Sequence, residues 1–334
     1  MKFCSIVGAR PNFIKLAPIS KEIRKKYDEV IIHTGQHYDE KMSESFFKDM
    51  NIPEPKWNLN IHESSHGKQI GEMIIKLEQY LIKEKPNVTI VFGDTNSTFA
   101  GAVASTRLGI PVAHIEAGCR SYDISMPEEQ NRIMVDHISK MLFAPTNSAA
   151  RILQSECVYG DIYNYGDVSV DIINSTNIKP LSPNFILSTI HRPSNADSKI
   201  TMENILSALN KLDDTVIFPV HPRTNKILEK YKLKDKYSNI HYVDPMNYST
   251  MISHIKSAKM IVTDSGGIQK ESYILRTPCI TLRNTTEWIE TTQLGWNVIV
   301  PSLTKKDILN TINNYKRLTH EVHRRTFYLE NRDI

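Results

Sequence analysis

The chain has 334 residues, 40% hydrophobic and 23% charged, with 16 prolines and 13 glycines, a composition that excludes disordered and collagen-like proteins and a length that suits about two domains. Forty-one Lys and Arg against 37 Asp and Glu leave a formal charge of only +4, so bulk charge predicts no nucleic-acid partner, while a local basic cleft for a small anion stays open. Cys4, Cys119, Cys157 and Cys279 are scattered without a CxxC pair, which argues against a zinc site or a disulfide framework and suits a reducing, cytoplasmic compartment.

The apolar run that opens the chain meets Gly8-Ala9-Arg10-Pro11 too soon for a signal peptide. No uninterrupted apolar stretch approaches the roughly 18 residues of a membrane span, so no membrane association is expected. Strands are predicted at Lys2 to Val7, Val30 to His33, Val88 to Phe92, Val112 to Ile115 and Leu142 to Ala144, where β-branched and apolar residues run together. Helices are predicted between them at Pro11 to Lys26, Glu40 to Met50, Gln69 to Glu84, Ser97 to Leu108 and Glu128 to Lys140. A second series begins near Phe185 with ILSTI, TVIFPV, IHYV, MIVT and CITLR, separated by helices such as Met202 to Leu212 and Tyr248 to Lys259. The alternation predicts an α/β protein of two Rossmann-like, doubly wound parallel-sheet domains, 1–170 and 171–334, with the join in the polar, proline-bearing segment between Asp167 and Asn184.

In open α/β sheets ligands lie beyond the carboxyl ends of the strands, so polar clusters that follow a strand are candidate site residues. The first is Gly8-Ala9-Arg10-Pro11, where a helix N-terminus with Arg10 and Lys15 nearby makes an anion cradle. It is not GxGxxG, so the dinucleotide fingerprint is absent where it belongs. Phe92-Gly93-Asp94-Thr95, His114-Ile115-Glu116-Ala117, Ile190-His191-Arg192 and Val220-His221-Pro222-Arg223 deliver ionisable groups to strand ends. Val262-Thr263-Asp264-Ser265-Gly266-Gly267 is a second candidate anion site, with Glu271 one turn into its helix, near enough for ribose hydroxyls. Each of these also admits a structural role as a helix cap or buried pair. Met126-Pro127-Glu128-Glu129-Gln130-Asn131-Arg132 opens a helix, and on local sequence its acids are ordinary complements of the helix dipole. His33, His37, His62 and His66 match no zinc spacing, so no metal is expected, and neither GxSxG nor a Walker motif occurs.

Taken in order, GARPNFIK, HTGQHYDEKM, FGDTNSTFAGA, HIEAGCRSY, MPEEQNR, His191-Arg192, PVHPRT, TDSGGIQKES and LRNTTEW look like the successive motifs of the non-hydrolysing UDP-N-acetylglucosamine 2-epimerase family. The resemblance runs collinearly from Met1 to about Val300. It implies an isomerase without a cofactor, a GT-B-like fold with an interdomain cleft, UDP held mostly by the C-terminal domain, and a homodimer. Carried over residue by residue, it places Arg10, Lys15, Asp94, Glu116, Glu128, Arg132 and His191 around sugar and diphosphate, and Ser265, Gly266, Gly267 and Glu271 on phosphates and ribose. Among these, Asp94, Glu116, Glu128 and His191 are the expected catalytic groups.

Three departures from the family pattern matter. The usual TERPE is Thr286-Glu287-Trp288-Ile289-Glu290 here, so tryptophan replaces a phosphate-reaching arginine, and Arg283 or Arg223 is the expected compensating cation. HRxEN is His191-Arg192-Pro193-Ser194-Asn195, which removes the carried-over polar contact at 194. The glycine-rich segment before the last helix is missing, and the closing helix is expected to be shortened or lost. The segment from His62 to Gln69, with MPEE and TEW, is closer to archaeal-type members and to epimerases acting on UDP-2,3-diacetamido-2,3-dideoxyglucuronate. An Arg-Gln pair of bacterial members activated by a second substrate molecule falls at His66-Gly67, so that activation is not expected.

For a UDP-2-acetamido sugar the hydrogen at C2 is only weakly acidic. Without a nicotinamide route, inversion there requires coupling proton loss to departure of UDP from C1, which gives a glycal. That route needs carboxylates near C2 and cations on the leaving diphosphate. Asp94, Glu116 and Glu128 are expected to supply the first, and Arg10, Lys15 and His191 the second. A GT-B glycosyltransferase, a hydrolysing epimerase and an inactive nucleotide-sugar-binding protein are the lesser alternatives.

Overall fold

Strand β1 (Lys2–Val7) reads KFCSIV and is buried along its last four residues, as expected of a central parallel strand covered on both faces. In the computed structural model, which describes residues 1–36, 47, 50–63 and 65–325, those after 315 by backbone alone, it lies in the middle of a sheet. Its neighbours are β2 (Asp28–His33) on one side and β4 (Val88–Phe92) on the other, with Ile6 opposite both Ile32 and Val91. The sheet continues through β3 (Trp57–Asn58), β5 (Val112–Ile115), β6 (Met141–Phe143) and β7 (Asp161–Tyr163). Every pairing is parallel and the order is β3-β2-β1-β4-β5-β6-β7. The helices are α1 (Arg10–Ile23), α2 (His66–Glu84), α3 (Asn96–Arg107), α4 (Pro127–Ile138), α5 (Asn147–Ser155) and α6 (Val168–Ser175). On α2, Met73, Leu77 and Leu81 recur at helical spacing and meet Cys4, Ile6, Ile32 and Val91 of the sheet in one core.

The chain divides into two units, Met1–Ser175 and Thr176–Ile334. The second repeats the wiring of the first. Its strands β8 (Phe185–Thr189), β9 (Thr215–Pro219), β10 (Ile240–Val243), β11 (Met260–Thr263), β12 (Cys279–Thr281) and β13 (Asn297–Ile299) pair in parallel in the order β10-β9-β8-β11-β12-β13. Its helices are α7 (Pro193–Ala196), α8 (Lys199–Leu209), α9 (Pro222–Lys230), α10 (Tyr248–Ser257), α11 (Gly266–Ile274), α12 (Ile289–Gln293) and α13 (Lys305–Arg325). Met202, Leu206, Phe218, Val262 and Ile308 belong to its core. In each sheet the strand order reverses beside the first strand, β1 or β8, which opens a crevice at the strand C-termini. Both parallel sheets thus have the expected doubly wound form.

The differences from the expected elements have local causes. β3, β7 and β13 are two or three residues long, too short for hydrophobic periodicity to register. The expected helices ending at Lys26, Lys140, Leu212 and Lys259 stop two or three residues sooner, at Ile23, Ile138, Leu209 and Ser257; Leu212 and Ala258, just past two of these ends, are still buried, so apolar periodicity runs on after the helix has stopped. The helix expected from Glu40 to Met50 lies almost wholly outside the described residues. Helix α13 runs past Leu318 to Arg325, and the expectation about a closing helix after it also falls outside them. Cys4, Cys119 and Cys279 are buried and Cys157 is exposed, all as free thiols. Burial pushes the Cys279 thiol up to about 12.

At the strand N-termini of the first unit, the buried Glu84 accepts hydrogen bonds from Lys2 Nζ at 2.5 Å and Trp57 Nε1 at 2.7 Å and pairs with Lys56 Nζ at 2.8 Å. Burial alone would raise the Glu84 carboxyl, but the hydrogen bonds from Lys2, Lys56 and Trp57 outweigh it and lower its pKa from 4.5 to about 2. A depressed carboxylate stabilises the fold above its unfolded pKa and stops doing so as pH falls through the folded one. Glu84→Gln is therefore expected to lower stability by on the order of 2 kcal/mol at neutral pH. Urea titrations of both proteins should show that gap narrowing from about pH 4.5 towards pH 2. A gap independent of pH would refute the assignment.

Candidate active site

In the first unit the site is built at the ends of β1, β4 and β5 and the start of α4. Pro11 suits the first turn of α1, and Asn12 reaches back to accept from the Gly8 and Ala9 amides at 3.2 and 3.0 Å. The same Asn12 donates to the Phe92 carbonyl at 2.7 Å, which ties the end of β4 to the start of α1. Arg10, half-buried, is the first helical residue. One turn on, Lys15 is 8% exposed and its Nζ lies 2.7 Å from Glu116 Oε1.

Gly93 explains how that pair fits. Its φ is +65°, and a Cβ there would stand 2.9 Å from Lys15 Nζ and 3.4 Å from Glu116 Oε1. The backbone conformation favours glycine, and the absent Cβ leaves room for the Lys15 ammonium beside the turn. Glu116 is itself left-handed, at φ +74°, a conformation that costs a non-glycine residue about 1 kcal/mol or more and persists only where the surroundings hold it. The Glu116 and Ala117 amides both donate to the Phe143 carbonyl, at 3.1 and 3.0 Å.

Helix α4 supplies the rest. Arg132 NH2 pairs with Asp94 Oδ2, and its NH1 lies 2.8 Å from Glu129 Oε2. Asn131 Nδ2 donates to the Asp94 carbonyl at 2.9 Å. Glu129, 1% exposed, accepts from the Ser121 amide and hydroxyl and from the Tyr122 amide. The two neighbouring acids therefore divide: Glu129 builds the loop before the helix, and Glu128 stands half-exposed one turn before Arg132. Asp94, Glu116 and Lys15, together with Arg132, thus come to one end of the sheet.

The second unit gathers its candidates at the ends of β8 and β11. Asp264, fully buried, accepts from the His191 and Arg192 amides at 3.1 and 3.0 Å and from Asn195 Nδ2 at 3.0 Å. The His191 ring lies 3.2 Å from it through Nδ1. Burial pushes the Asp264 carboxyl up, but the hydrogen bonds and charge of His191 and the backbone amides outweigh that and leave it below its ordinary value. His191 is thereby oriented by a carboxylate. His221 has its ring centroid 5.5 Å from that of His191.

Ser265 caps α11, its hydroxyl accepting from the Ile268 amide at 3.4 Å. A Cβ on Gly266 would run into the Glu287 carboxylate, so only glycine admits that group so near the helix N-terminus. Gly267 follows at the second helical position, and Glu271 is buried farther along α11. Arg283 pairs with Glu287 at 2.9 Å, both buried, while Arg223 is exposed, 3.7 Å from Asp197. Trp288 is 6% exposed, and its Nε1 has no hydrogen-bond partner among the described residues. Lys270 Nζ stands 4.5 Å over the same ring. Ser194 is exposed, whereas its neighbour Asn195 is buried against Asp264 and Leu282.

Sequence reasoning missed Glu129, Asn131, Asp264, Asn195 and Lys270. Only Asp264 had a signal, its place at a strand end beside Ser265. Of the histidines weighed for a metal, His33 stacks on Phe13 at 5.3 Å, His62 meets the Gly35 carbonyl at 3.2 Å, and His66 meets Asn96 at 3.0 Å. His37 lies outside the described residues. Among the described residues, no group of three or more His, Cys, Asp or Glu is arranged to hold a metal, and no helix is long and apolar enough to cross a membrane.

Chemically, the first unit offers carboxylates next to fixed cations, and the second offers helix N-termini, a carboxylate-oriented histidine and a lysine over tryptophan. Comparison with known proteins identifies what the chain is similar to. The family model described as UDP-N-acetylglucosamine 2-epimerase matches residues 21–331. A UDP-N-acetylglucosamine 2-epimerase homolog of Methanococcus maripaludis is 50% identical, covering 94% of this chain and 92% of its own length. The UDP-2,3-diacetamido-2,3-dideoxy-D-glucuronate 2-epimerase of Pseudomonas aeruginosa is 42% identical over 90% of this chain and 88% of its own. Among solved structures, Methanocaldococcus jannaschii UDP-GlcNAc 2-epimerase in complex with UDP-GlcNAc and UDP superposes with a TM-score of 0.86 at 40% identity, covering 94% of this chain and 92% of that one.

Proposed function

The chain belongs to the UDP-N-acetylglucosamine 2-epimerase family, and from that premise we propose that it interconverts UDP-N-acetylglucosamine and UDP-N-acetylmannosamine without a cofactor. The observation that carries the reading is the gathering of Asp94 and Glu116 with Lys15 and Arg132 at neighbouring strand ends, in a chain 40% identical to an epimerase solved with UDP-GlcNAc and UDP. A carboxylate takes the C2 proton as the C1–O bond to UDP breaks, leaving a glycal and free UDP. UDP then returns to C1 while an acid delivers a proton to the opposite face of C2. Asp94, Glu116 and Glu128 serve as the acid–base groups. Arg10, Lys15, Arg132 and His191, with the N-terminus of α11 at Ser265, Gly266 and Gly267, stabilise the charge that builds on the departing diphosphate. Glu271 holds the ribose. We place the enzyme in the cytoplasm as a homodimer that supplies precursors for surface polysaccharide or other glycans.

Incubation with UDP-N-acetylglucosamine in D₂O, followed by NMR, is expected to show UDP-N-acetylmannosamine forming without nicotinamide and deuterium entering at C2. Product that kept its original C2 hydrogen, or a strict need for NAD, would overturn the mechanism. The Pseudomonas relative, at 42% identity, favours a second substrate, UDP-2,3-diacetamido-2,3-dideoxyglucuronate. Faster C2 exchange in that compound than in UDP-N-acetylglucosamine would select it.

A further inference from the structure

Behind the carboxylates of the first unit lies a chain of charges that the proposed mechanism does not use. Asp136, on α4, is fully buried, as is His114 on β5. The two meet at 2.7 Å through His114 Nδ1 and Asp136 Oδ1. The other ring nitrogen, Nε2, lies 2.7 Å from the Gly93 carbonyl. The ring thus bridges the Asp136 carboxylate and the Gly93 carbonyl, one nitrogen to each. Asp136 Oδ2 accepts from the Gly118 amide at 3.1 Å and pairs with Arg120 NH1 at 2.7 Å. Arg120, 1% exposed, is in turn held by Glu156 through two hydrogen bonds of 2.8 and 2.7 Å. Burial disfavours the ionised Asp136, but His114 and Arg120 outweigh it and hold its carboxyl below the ordinary value.

The endpoints of this network give it meaning. One arm ends on the carbonyl of the Gly93–Asp94 peptide, so it sets the plane from which the Asp94 side chain departs. The other ends on Gly118, two residues after the left-handed Glu116. A residue at φ +74° relaxes unless both sides of its turn are fastened; the Phe143 carbonyl fastens one and Asp136 the other. A single carboxylate thus spans the two turns that present Asp94 and Glu116. We propose that Asp136 is a positioning residue, which through His114 and the Gly118 amide fixes Asp94 and Glu116 relative to one another. This rests on the reading of those two carboxylates as acid–base groups.

The test is a pair of double-mutant cycles on kcat and KM for UDP-N-acetylglucosamine. Asp136→Asn keeps the shape but turns an acceptor into a donor. Because a misplacement of about 1 Å costs up to roughly 10² in rate, it is expected to lower kcat about tenfold to hundredfold, with KM changed less than about threefold. Combined with Glu116→Gln or Asp94→Asn, it should cost clearly less than it does alone, since the group already removed cannot be misplaced while its partner still can. Full multiplication of the losses in both cycles, or a near wild-type kcat for Asp136→Asn, would overturn the proposal. If Asp136→Asn does not fold, His114→Gln, which cuts only the arm to Gly93, is held to the same criteria. Wild-type turnover in both Glu116→Gln and Asp94→Asn would instead show that the site reading itself is wrong, and the positioning role would fall with it.

Discussion

Glu116→Gln is expected to lower turnover by a factor on the order of 10² or more, the scale of a positioned acid–base group, while the protein remains folded. The carboxylate is paired with Lys15 at 2.7 Å, and both side chains are 10% exposed. Glutamine retains the shape and one acceptor but can neither take a proton nor balance the buried ammonium. Some stability is lost with that balance, so a melting curve must accompany the kinetics. Asp94→Asn and Glu128→Gln are expected to fall on the same scale. They lose different things: Asp94 is held by Arg132 from α4, and Glu128 stands half-exposed in the first turn of that helix. Near wild-type turnover in all three variants would mean that these carboxylates do no chemistry.

Lys270→Met is expected to weaken UDP about tenfold to hundredfold while leaving uridine little changed. Tryptophan at 288 offers a phosphate only one indole N–H and an aromatic face, where the family pattern has a planar, permanently charged fork. A cation does stand at that place, since Lys270 Nζ lies 4.5 Å over the Trp288 ring. The indole Nε1 beneath it is buried without a hydrogen-bond partner among the described residues. Charge-assisted hydrogen bonds contribute about 1.5–3 kcal/mol, which is the tenfold to hundredfold range. Arg283 and Arg223, the cations expected from sequence, are placed differently. Arg283 is engaged with the buried Glu287 at 2.9 Å, and Arg223 sits beside Asp197 with its side chain 44% exposed. Calorimetry with UDP and uridine on Lys270→Met, Arg283→Ala and Arg223→Ala ranks the three. If only an arginine variant narrowed the preference for UDP, the lysine would be a packing residue and the sequence-based expectation would stand.

What was legible in the sequence is what obeys short-range rules. A β-branched run followed at once by Gly-Asp or by Glu-Ala-Gly announces a strand end with an ionisable group on it, and the places of Asp94 and Glu116 just past β4 and β5 were readable on that ground. Glu128 and Arg132 were not; on local sequence they are dipole complements, and only the ordered motifs singled them out. The division of labour between Glu128 and Glu129 was invisible, because a helix start presents both acids equally until the loop from Ser121 folds back to claim one. Asp136 reads as an ordinary polar position late in a helix. Nothing local says that His114, from a strand, and Gly118, from the turn after it, converge there. The same holds for Lys270 and Trp288, which meet only once α11 and the segment before α12 are packed. β3 is two residues long and escapes any periodicity.

All the strands of the first sheet point the same way, and this has a consequence for how the protein can change. Glu84 with Lys2, Lys56 and Trp57 sits where strands begin, whereas Gly93, Asp94 and Glu116 sit where they finish. The ion pairs around Glu84 and the proposed acid–base groups are therefore housed at opposite poles of one layer, with the length of β1 and β4 between them. Lineages moving to hotter, colder or more acid surroundings have a free end on which to rework ion pairs, with none of the proposed acid–base carboxylates displaced. For the engineer the layout marks where libraries should differ: variants at the strand starts are to be sorted on melting temperature, and variants at the strand finishes on rate.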